Sequence, residues 1–305
     1  MAWRGVHITK PGRLSLKDGQ IVVAQEEGEV RLPLEDIGWI ILDEPRLTLT
    51  STLLAACAEQ GIALIHTDAR HMPISTTLPF HTHHRQAGIA ALQLGLSLPF
   101  KKRCWQAIVR AKITNQAAVL AQTGRNQSEA LHAMAKLVSS GDSENVEARA
   151  ARHYWSALFH DFIRDDPADL RNKMLNYGYA VMRAMLARAL VGAGLIPSLG
   201  LHHASQTNAY NLVDDMIEPF RPLVDALVFE RCATRTPTDE MNVDDRRALA
   251  GLPLQSVQMG KSLLGVMAAT ESCIASLVQA MEMESAALLT LPILKPSPPI
   301  TENPP

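Results

Sequence analysis

The residues whose types and spacing could do chemistry are concentrated in the segment 199–222. His202 and His203 lie in a predicted loop, and Asp215 and Glu218 open the next predicted helix. Because these two acids are three residues apart, they share one helix face. An imidazole with one or two carboxylates suits Mg²⁺ or Mn²⁺ when open positions remain for water and phosphate oxygens. Acids in a first helical turn are also common because they favour the helix dipole, so spacing alone leaves the structural interpretation open.

A further candidate acid, Glu147, lies in a predicted helix within the segment 142–163. It shares one stripe of that helix with Ala151, Tyr154 and Leu158. A carboxylate on an apolar face is costly to bury unless it binds something. Glu147 is therefore either a ligand or the partner of a buried arginine.

Other polar side chains surround these candidates in the sequence. Asn172 and Tyr177 lie at one end of a predicted core helix, where they could orient metal ligands or contact a nucleic-acid backbone, or simply cap and pack. Arg221 follows Glu218 by one turn and could touch a phosphate or pair with that glutamate.

Bulk composition narrows the class of protein. The chain has 305 residues, 47% apolar residues and a net charge of −2, which is enough for a core and excludes a polycation. Its four cysteines are far apart and form no CxxC pair, as expected for reduced thiols in a cytoplasmic protein. No apolar run reaches the roughly 18 residues of a membrane span. No Gly-rich nucleotide loop or GxSxG is present, which argues against a P-loop enzyme and an α/β-hydrolase.

Charge is distributed unevenly along the chain. No Asp or Glu occurs between Asp68 and Glu129, where composition predicts about six. A path for a phosphate backbone requires such a strip without negative charge, although a solvated basic face without a partner would have the same composition. The candidate DNA contacts in this strip are Arg85, Lys101, Lys102, Arg103, Arg110 and Lys112.

The periodicity predicts an α+β fold, in which a small N-terminal β sheet or sandwich precedes a larger all-α part. Strands are predicted at 3–8, 13–16, 20–24, 30–33, 39–42 and 62–65, with one helix at 51–59. Helices are predicted near 82–94, 99–121, 127–138, 143–163, 167–194, 210–219, 222–232, 243–250 and 257–285. We assign a β domain to 1–75, a linker to 76–81 in the proline-containing stretch, a helical catalytic domain to 82–288 and a disordered proline-rich tail to 289–305.

Together these residues resemble the CRISPR-associated spacer-acquisition integrase, a metal-dependent endonuclease that inserts new spacers into a CRISPR array. The most specific segment is GLHH at 200–203 followed by VDDMIEPFRP at 213–222. The similarity extends from residue 3 to about residue 283, and the compact chain looks most like the version in type II systems. Other matching segments are PLEDIGWIILDE at 33–44, HRQ at 84–86, KKRCWQAIVRAKITNQA at 101–117, NVEARAARHYW at 145–155 and NKMLNYGYAVMRAML at 172–186.

The resemblance implies a ligand set and partners. The family's metal ligands are a glutamate, a histidine and an acid in a DxxE, which match Glu147, His203 and Glu218, with Asp215 assisting. Adjacent His202 leaves a one-residue shift open. The family forms a homodimer largely through its β domains, and a small CRISPR-associated partner with a ferredoxin-like fold bridges two dimers. Its DNA is a prespacer duplex and the CRISPR repeat and leader.

The chemistry implied is attack of a DNA 3′-hydroxyl on a phosphodiester, or hydrolysis when water is the nucleophile. One alternative is a phosphohydrolase for a small substrate, which would not need the acid-free strip. Another is a non-catalytic DNA-binding assembly subunit, which would be favoured if Glu147 or Glu218 were missing. Further DNA contacts are expected at Asn172, Tyr177, Arg221 and Lys261.

Overall fold

The N-terminal part of this computed structural model, which describes residues 4–80 and 83–294, consists of short strands and one helix. Apolar and polar residues alternate there between turns that contain glycine, which favours strands. The elements are β1 Arg4–Ile8, β2 Gly12–Lys17, β3 Gln20–Gln25, β4 Gly28–Pro33, β5 Ile37–Leu42, β6 Leu47–Leu49, α1 Ser51–Glu59, β7 Ala63–Thr67 and β8 Pro73–Thr77. The strands and the helix predicted here are confirmed, except that residue 3 lies outside the described range.

Two sheets form this part. One has the order β1-β5-β7-β8, with β5 parallel to both β1 and β7, and the other has the order β4-β3-β2-β6. Residues of β5 alternate between two hydrophobic cores: Ile40 belongs to a core shared with the second sheet and α1, and Trp39 and Ile41 belong to the core of the helices. Every residue of β5 is buried because both of its faces are covered.

The rest of the chain is mainly helical. α6 is buried along most of its length and packs against α7, α8, α9 and α10. The predicted α+β architecture is confirmed. The helices are α2 Gln86–Leu94, α3 Leu98–Gln122, α4 Ser128–Leu137, α5 Val146–Leu158, α6 Leu170–Gly192, α7 Asn211–Ile217, α8 Arg221–Arg231, α9 Val243–Ala250 and α10 Val266–Glu282.

The helix predicted at 257–285 is wrong in its first part. Strands β9 Ser256–Met259 and β10 Ser262–Gly265 form an antiparallel hairpin there, and α10 begins only at Val266. Gly260 allows the turn because its φ of +56° is in the left-handed region that other residues avoid. The apolar run of the hairpin continues into α10, which made the two elements look like one helix.

Two boundary predictions need correction. β8 pairs with β7 and extends to Thr77, so the strand includes the first residues of the predicted linker, whose residue 81 is outside the described range. The tail predicted to be disordered from residue 289 is ordered at least to residue 294, because β11 Pro292–Ile293 pairs with β9. Residues 295–305 lie outside the described range. The division into domains stays a prediction.

None of the helices in residues 4–80 and 83–294 is long and apolar enough to cross a membrane. The four cysteines carry free thiols, as predicted, and burial raises the pKa of Cys57 to about 11 and that of Cys104 to about 12.

Candidate metal and nucleic-acid site

Helix α3 places a lysine between the two glutamates predicted to be ligands. Lys112 Nζ lies 2.6 Å from Glu147 Oε1 and 2.5 Å from Glu218 Oε2. The lysine side chain is only 12% exposed. The Lys112 ammonium is therefore the point where three elements that are far apart in sequence meet: α3, the start of α5 and the turn after α7.

Glu147 lies in the first turn of α5. The carboxylate of Asp142 accepts hydrogen bonds from the backbone N–H groups of Val146 and Glu147, at 2.9 and 3.0 Å, and so satisfies the free end of the helix. The interpretation that Glu147 pairs with a buried arginine was close to the arrangement found, but the partner is Lys112. Because the two residues are 35 positions apart, the periodicity of α5 could not identify this partner.

Glu218 is almost completely buried and begins the 3₁₀ turn Glu218–Phe220 between α7 and α8. Its Oε1 accepts a 2.8 Å hydrogen bond from Arg221 Nε. Burial by itself would raise the pKa of Glu218, but the charges of Lys112 and Arg221 outweigh it and lower the pKa to about 2. Glu218 is therefore ionised at neutral pH without any metal.

A buried amide on α3 fixes the turn that carries Glu218. Asn115 Nδ2 donates to the carbonyl oxygen of Pro219 at 2.8 Å and to that of Pro292 at 3.0 Å. Its Oδ1 accepts a 3.0 Å hydrogen bond from Leu294 N. One side chain thus joins the Glu218 turn to the C-terminal strand β11.

Asp215 orients the histidine loop rather than facing open space. Its Oδ2 accepts hydrogen bonds from the backbone N–H groups of Leu201 and His202, at 2.6 and 3.1 Å. Its Oδ1 is 3.1 Å from His203 N and 2.7 Å from His203 Nδ1. The hydrogen bond to Asp215 is the main reason that the pKa of His203 is raised. Because Asp215 is fully buried and both its oxygens are engaged, the geometry favours an orienting role over the predicted role as a metal ligand.

The two adjacent histidines have different surroundings. His202 stacks on Trp105, with parallel rings 4.1 Å apart, whereas His203 meets Trp105 edge-on at 5.6 Å. With Nδ1 directed at Asp215, His203 has Nε2 left for a ligand. Gly200 is required in this loop, because a Cβ there would lie 2.2 Å from the His203 carbonyl oxygen.

A buried acid that the sequence did not indicate lies next to these residues. Asp225 of α8 accepts hydrogen bonds from the hydroxyls of Tyr154, at 2.9 Å, and Tyr179. Burial raises the pKa of Asp225 to about 6, although hydrogen bonds from the two tyrosines lower it in part. Asp225, Tyr179, Lys112 and Glu218 line the same cavity of about 150 Å³. The signal available in the sequence was an acid within an apolar helix, seven residues after Glu218.

The donor set fits a hard divalent cation. Within residues 4–80 and 83–294, no three His, Cys, Asp or Glu side chains already converge as a metal cluster. Two carboxylates nevertheless share one cation, the Lys112 ammonium. Glu218 Oε2 is buried and lies at ion-pair distance from Lys112 Nζ, but it accepts no hydrogen bond of good geometry. Glu147, Glu218 and the Nε2 of His203 could hold Mg²⁺ or Mn²⁺ if the ammonium left its position.

Most of the basic residues predicted to contact DNA are exposed or half-buried. Lys102 and Arg103 are exposed, and Lys101 is half-buried, as expected for consecutive residues that fan around a helix. Arg85 is 60% exposed and pairs with Glu282 at 3.3 Å. Arg110 is exposed and donates to the Val138 carbonyl, and Lys261 is exposed in the turn between β9 and β10.

Three predicted DNA contacts do not lie on the open surface of this structure. Asn172 is 1% exposed, and its amide donates to the carbonyls of Ile163 and Asp166. Tyr177 is fully buried in the helical core. Lys112 is occupied by the two glutamates. Arg221 is a mixed case, since it is half-buried and neutralises Glu218.

Comparisons with known proteins identify the family. A family model described as CRISPR associated protein Cas1 matches residues 6–250. The chain belongs to the Cas1 family. The resemblance stated from the sequence is therefore confirmed. The chain is 37% identical over 297 residues to the CRISPR-associated endonuclease Cas1 of Neisseria meningitidis serogroup C, with 97% of this chain and 98% of that protein covered. It is also 29% identical to a CRISPR-associated endonuclease Cas1 of Pyrobaculum aerophilum, over 70% of this chain and 77% of that one.

Solved structures share the Cas1 fold at low sequence identity. A casposase bound to its integration product aligns with a TM-score of 0.72 at 17% identity, over 93% of this chain and 92% of that one. A CAS1 protein from Thermotoga maritima aligns with a TM-score of 0.70 at 16% identity, over 92% and 97% of the two chains. The Cas1 family match includes Glu147, His203 and Glu218 but ends before Lys261 and β11.

Proposed function

We propose that this Cas1-family chain is a divalent-metal-dependent DNA endonuclease and integrase that inserts new spacers into a CRISPR array. The observation that carries the proposal is the pair of carboxylates of Glu147 and Glu218, which lie 2.6 and 2.5 Å from the ammonium of Lys112. His203 is oriented by the buried Asp215. The names of the related endonucleases and of the casposase integration complex support the same assignment.

The site's residues divide the work of such a reaction. Bound Mg²⁺ or Mn²⁺ supplies charge neutralisation for the phosphodiester and a lower pKa for the attacking hydroxyl. Glu147 and Glu218 would hold the cation, His203 would add a nitrogen ligand, and Asp215 fixes the direction of that imidazole. Arg221 is paired with Glu218 and lies over the Tyr179 ring, 4.5 Å from its centroid, where its positive charge would favour a phosphate bound at this site.

DNA and protein partners follow from the surface. We infer that duplex DNA follows Arg85, at the start of α2, and the exposed basic residues of α3, because both lie in the acid-free segment of the chain. We also infer a homodimer through the N-terminal sheets, since β4 is an exposed edge strand and its Val30 is 56% exposed. A structure described as a Cas6-RT-Cas1–Cas2 complex shares the fold, with a TM-score of 0.71 at 16% identity over 94% of this chain and 36% of that one. A small CRISPR-associated partner is therefore expected here.

The deciding experiment is an integration assay. The purified chain is incubated with a supercoiled CRISPR plasmid, short duplex DNA and Mn²⁺, with and without the small partner. Half-site products that depend on Mn²⁺ and disappear with EDTA support the proposal. Duplex binding without cleavage or joining at any Mn²⁺ concentration would favour the non-catalytic assembly subunit. Turnover of small phosphate esters with no reaction on DNA would favour a phosphohydrolase.

A further inference from the structure

Lys112 occupies the position that a shared metal would need. Its Nζ contacts Glu147 Oε1 and Glu218 Oε2, each within 2.6 Å, and its side chain is 12% exposed. An amine this enclosed has lost most of its water, so the two carboxylates replace its hydration. The arrangement is a buried triad of one cation and two anions, with Arg221 as a second cation on the far oxygen of Glu218.

The two glutamates depend on Lys112 unequally. Glu218 has Arg221 as another partner, whereas Lys112 is the ion-pair partner that the structure gives to Glu147. Without a cation between them, the carboxylates of Glu147 and Glu218 would be close neighbours of the same charge. This arrangement is strongly unfavourable in a partly buried site. The metal-free chain therefore needs an internal cation to keep its ligands together.

The two occupants exclude each other. A divalent ion held by both carboxylates would need the space between their oxygens, which the Lys112 ammonium now takes. We propose that Lys112 is a resident cation, which holds Glu147 and Glu218 in the metal-free chain and is displaced when a divalent cation binds. This inference rests on the proposed function, because it assumes that these glutamates are the metal ligands.

Lysine is suited to this exchange. Its charge is at the end of a four-carbon flexible stem, so it can withdraw by rotation without moving α3, whereas the planar arginine fork would keep several fixed hydrogen bonds. Met is nearly the same length and carries no charge, so Lys112→Met removes the competing cation and keeps much of the packing. Lys112→Arg keeps the charge. Lys136 of α4 is exposed and provides a matched control, Lys136→Met.

The test measures Mn²⁺ binding to the full chain by the loss of the free-ion EPR signal, and thermal melting in EDTA. Lys112→Met should bind Mn²⁺ about tenfold more tightly or better, because a positive charge next to the metal is gone. It should also melt at lower temperature than wild type in EDTA and recover most of the difference when Mn²⁺ is added. Lys112→Arg and Lys136→Met should stay near wild type in EDTA.

A second measurement uses the wild-type chain and does not depend on any variant folding. Lys112 and Lys136 are labelled with a small amine-acylating reagent and quantified by peptide mass spectrometry. Mn²⁺ should increase labelling of Lys112 several-fold relative to Lys136, because the displaced amine leaves its ion pairs. Unchanged labelling, or weaker Mn²⁺ binding by Lys112→Met, would overturn the inference and make Lys112 an organiser that remains in place with the metal.

Glu147→Gln separates this inference from the proposed function. If Glu147→Gln binds Mn²⁺ as wild type does, the proposed metal site is wrong and the resident-cation inference falls with it. If Glu147→Gln loses Mn²⁺ while Lys112→Met gains nothing, the metal site stands and only the inference about Lys112 is lost.

Discussion

Two buried carboxylate centres of this molecule use similar side chains for different ends. Asp43, which is fully buried, is contacted by Arg246 Nε at 2.8 Å, His71 Nδ1 at 2.8 Å and His7 Nε2 at 2.9 Å. These partners come from β1, a loop of the N-terminal part and α9, so the acid ties the sheets to the helices. At the other centre, Glu147 and Glu218 share one flexible lysine.

The difference between the centres lies in how their charge is satisfied. Around Asp43 several donors converge on one acid, and two of them are histidines in fixed loops and strands. Around Lys112 two acids converge on one donor, which leaves negative charge in excess unless Arg221 is counted. A buried acid with several donors around it is suited to joining elements of the fold, whereas two acids that share one donor are suited to binding a cation. The composition of the two clusters alone would not distinguish them.

The largest expected effect is on the acceptor-rich centre. Glu147→Gln, Glu218→Gln and His203→Ala should each lower the integration rate by about three orders of magnitude or more, because each removes a metal ligand. The glutamine variants are preferable to alanine for the acids, since Glu218→Ala would leave Lys112 and Arg221 buried without their partner. The measurement is the integration rate alongside a thermal melt of each variant.

Two matched controls accompany this experiment. Glu144→Gln changes an exposed acid three residues before Glu147 and should be nearly silent. His202→Ala should retain clear activity, because His202 stacks on Trp105 and makes no contact with Asp215 through its ring. An inactive His202→Ala with an active His203→Ala would mean that the ligand is the other histidine.

The donor-rich centre should show the opposite pattern. Asp43→Asn should destabilise the chain by about 3–5 kcal/mol, because it leaves Arg246 buried against two histidines without its counter-charge. Mn²⁺ binding per folded molecule should not change. Urea unfolding provides the measurement, and Asp244→Asn on α9, an exposed pair with Arg247, is the control and should shift stability by less than about 0.5 kcal/mol. A loss of Mn²⁺ binding with normal stability would show that the two centres are not separate.

Asp225 is a third buried acid, and its pH dependence sharpens the comparison. Its pKa is raised in the fold from 3.8 to about 6 by burial, so the fold prefers the protonated carboxyl. Its contribution to stability is therefore complete below about pH 4 and is lost as the pH rises through 6. The loss should be on the order of 2–3 kcal/mol, since each pKa unit corresponds to about 1.4 kcal/mol. Thermal or urea unfolding of wild type and Asp225→Asn from pH 4 to 7.5 measures it as a difference. A wild type that instead loses stability relative to Asp225→Asn as the pH falls would show an acid stabilised by its charge.

The smallest expected effect concerns the exposed basic strip. Arg110→Glu should weaken duplex binding and lower the slope of log K against log salt by about 0.9, the value for one phosphate contact. Arg85→Glu should have a smaller effect, because Arg85 is already paired with Glu282. A triple alanine variant of 101–103 should lose one or two contacts, since a helix directs those side chains apart. Lys10→Ala in the N-terminal part serves as the control. Wild-type slopes throughout would identify the strip as ordinary solvated surface.

Local patterns predicted the elements of this fold better than their partners. The helix Ser51–Glu59 could be predicted from its apolar spacing, and the structure adds a capping hydrogen bond from Leu53 N to Thr50. The hairpin at Ser256–Gly265 was missed because its short apolar strands lead directly into α10. Strand β8 was missed because Pro73 begins it at the edge of a sheet, where proline is tolerated.

The candidate site was predictable in its acids and histidine but not in its cations. Glu147 and Glu218 were marked by helix spacing and by the family motifs, and His203 by the family motifs. The pairing of Lys112 with Glu147 spans 35 positions along the chain, and no local period encodes a contact at that distance. The same limit explains Asn172 and Tyr177: polar groups at one end of a helix suggest a surface, but α7, α8, α9 and α10 cover the helix that carries them.

The hydrogen bonds between Asn115 and the segment of β11 have a consequence for biosynthesis. The turn that carries Glu218 is anchored through Asn115 to Pro292 and Leu294. Translation proceeds from the N-terminus, so these are among the last described residues to leave the ribosome. A nascent chain can fold the two N-terminal sheets and most of its helices before then. It cannot complete the support beneath Glu218 until Pro292 and Leu294 have emerged, so the centre matures well after Glu218 itself has been synthesised.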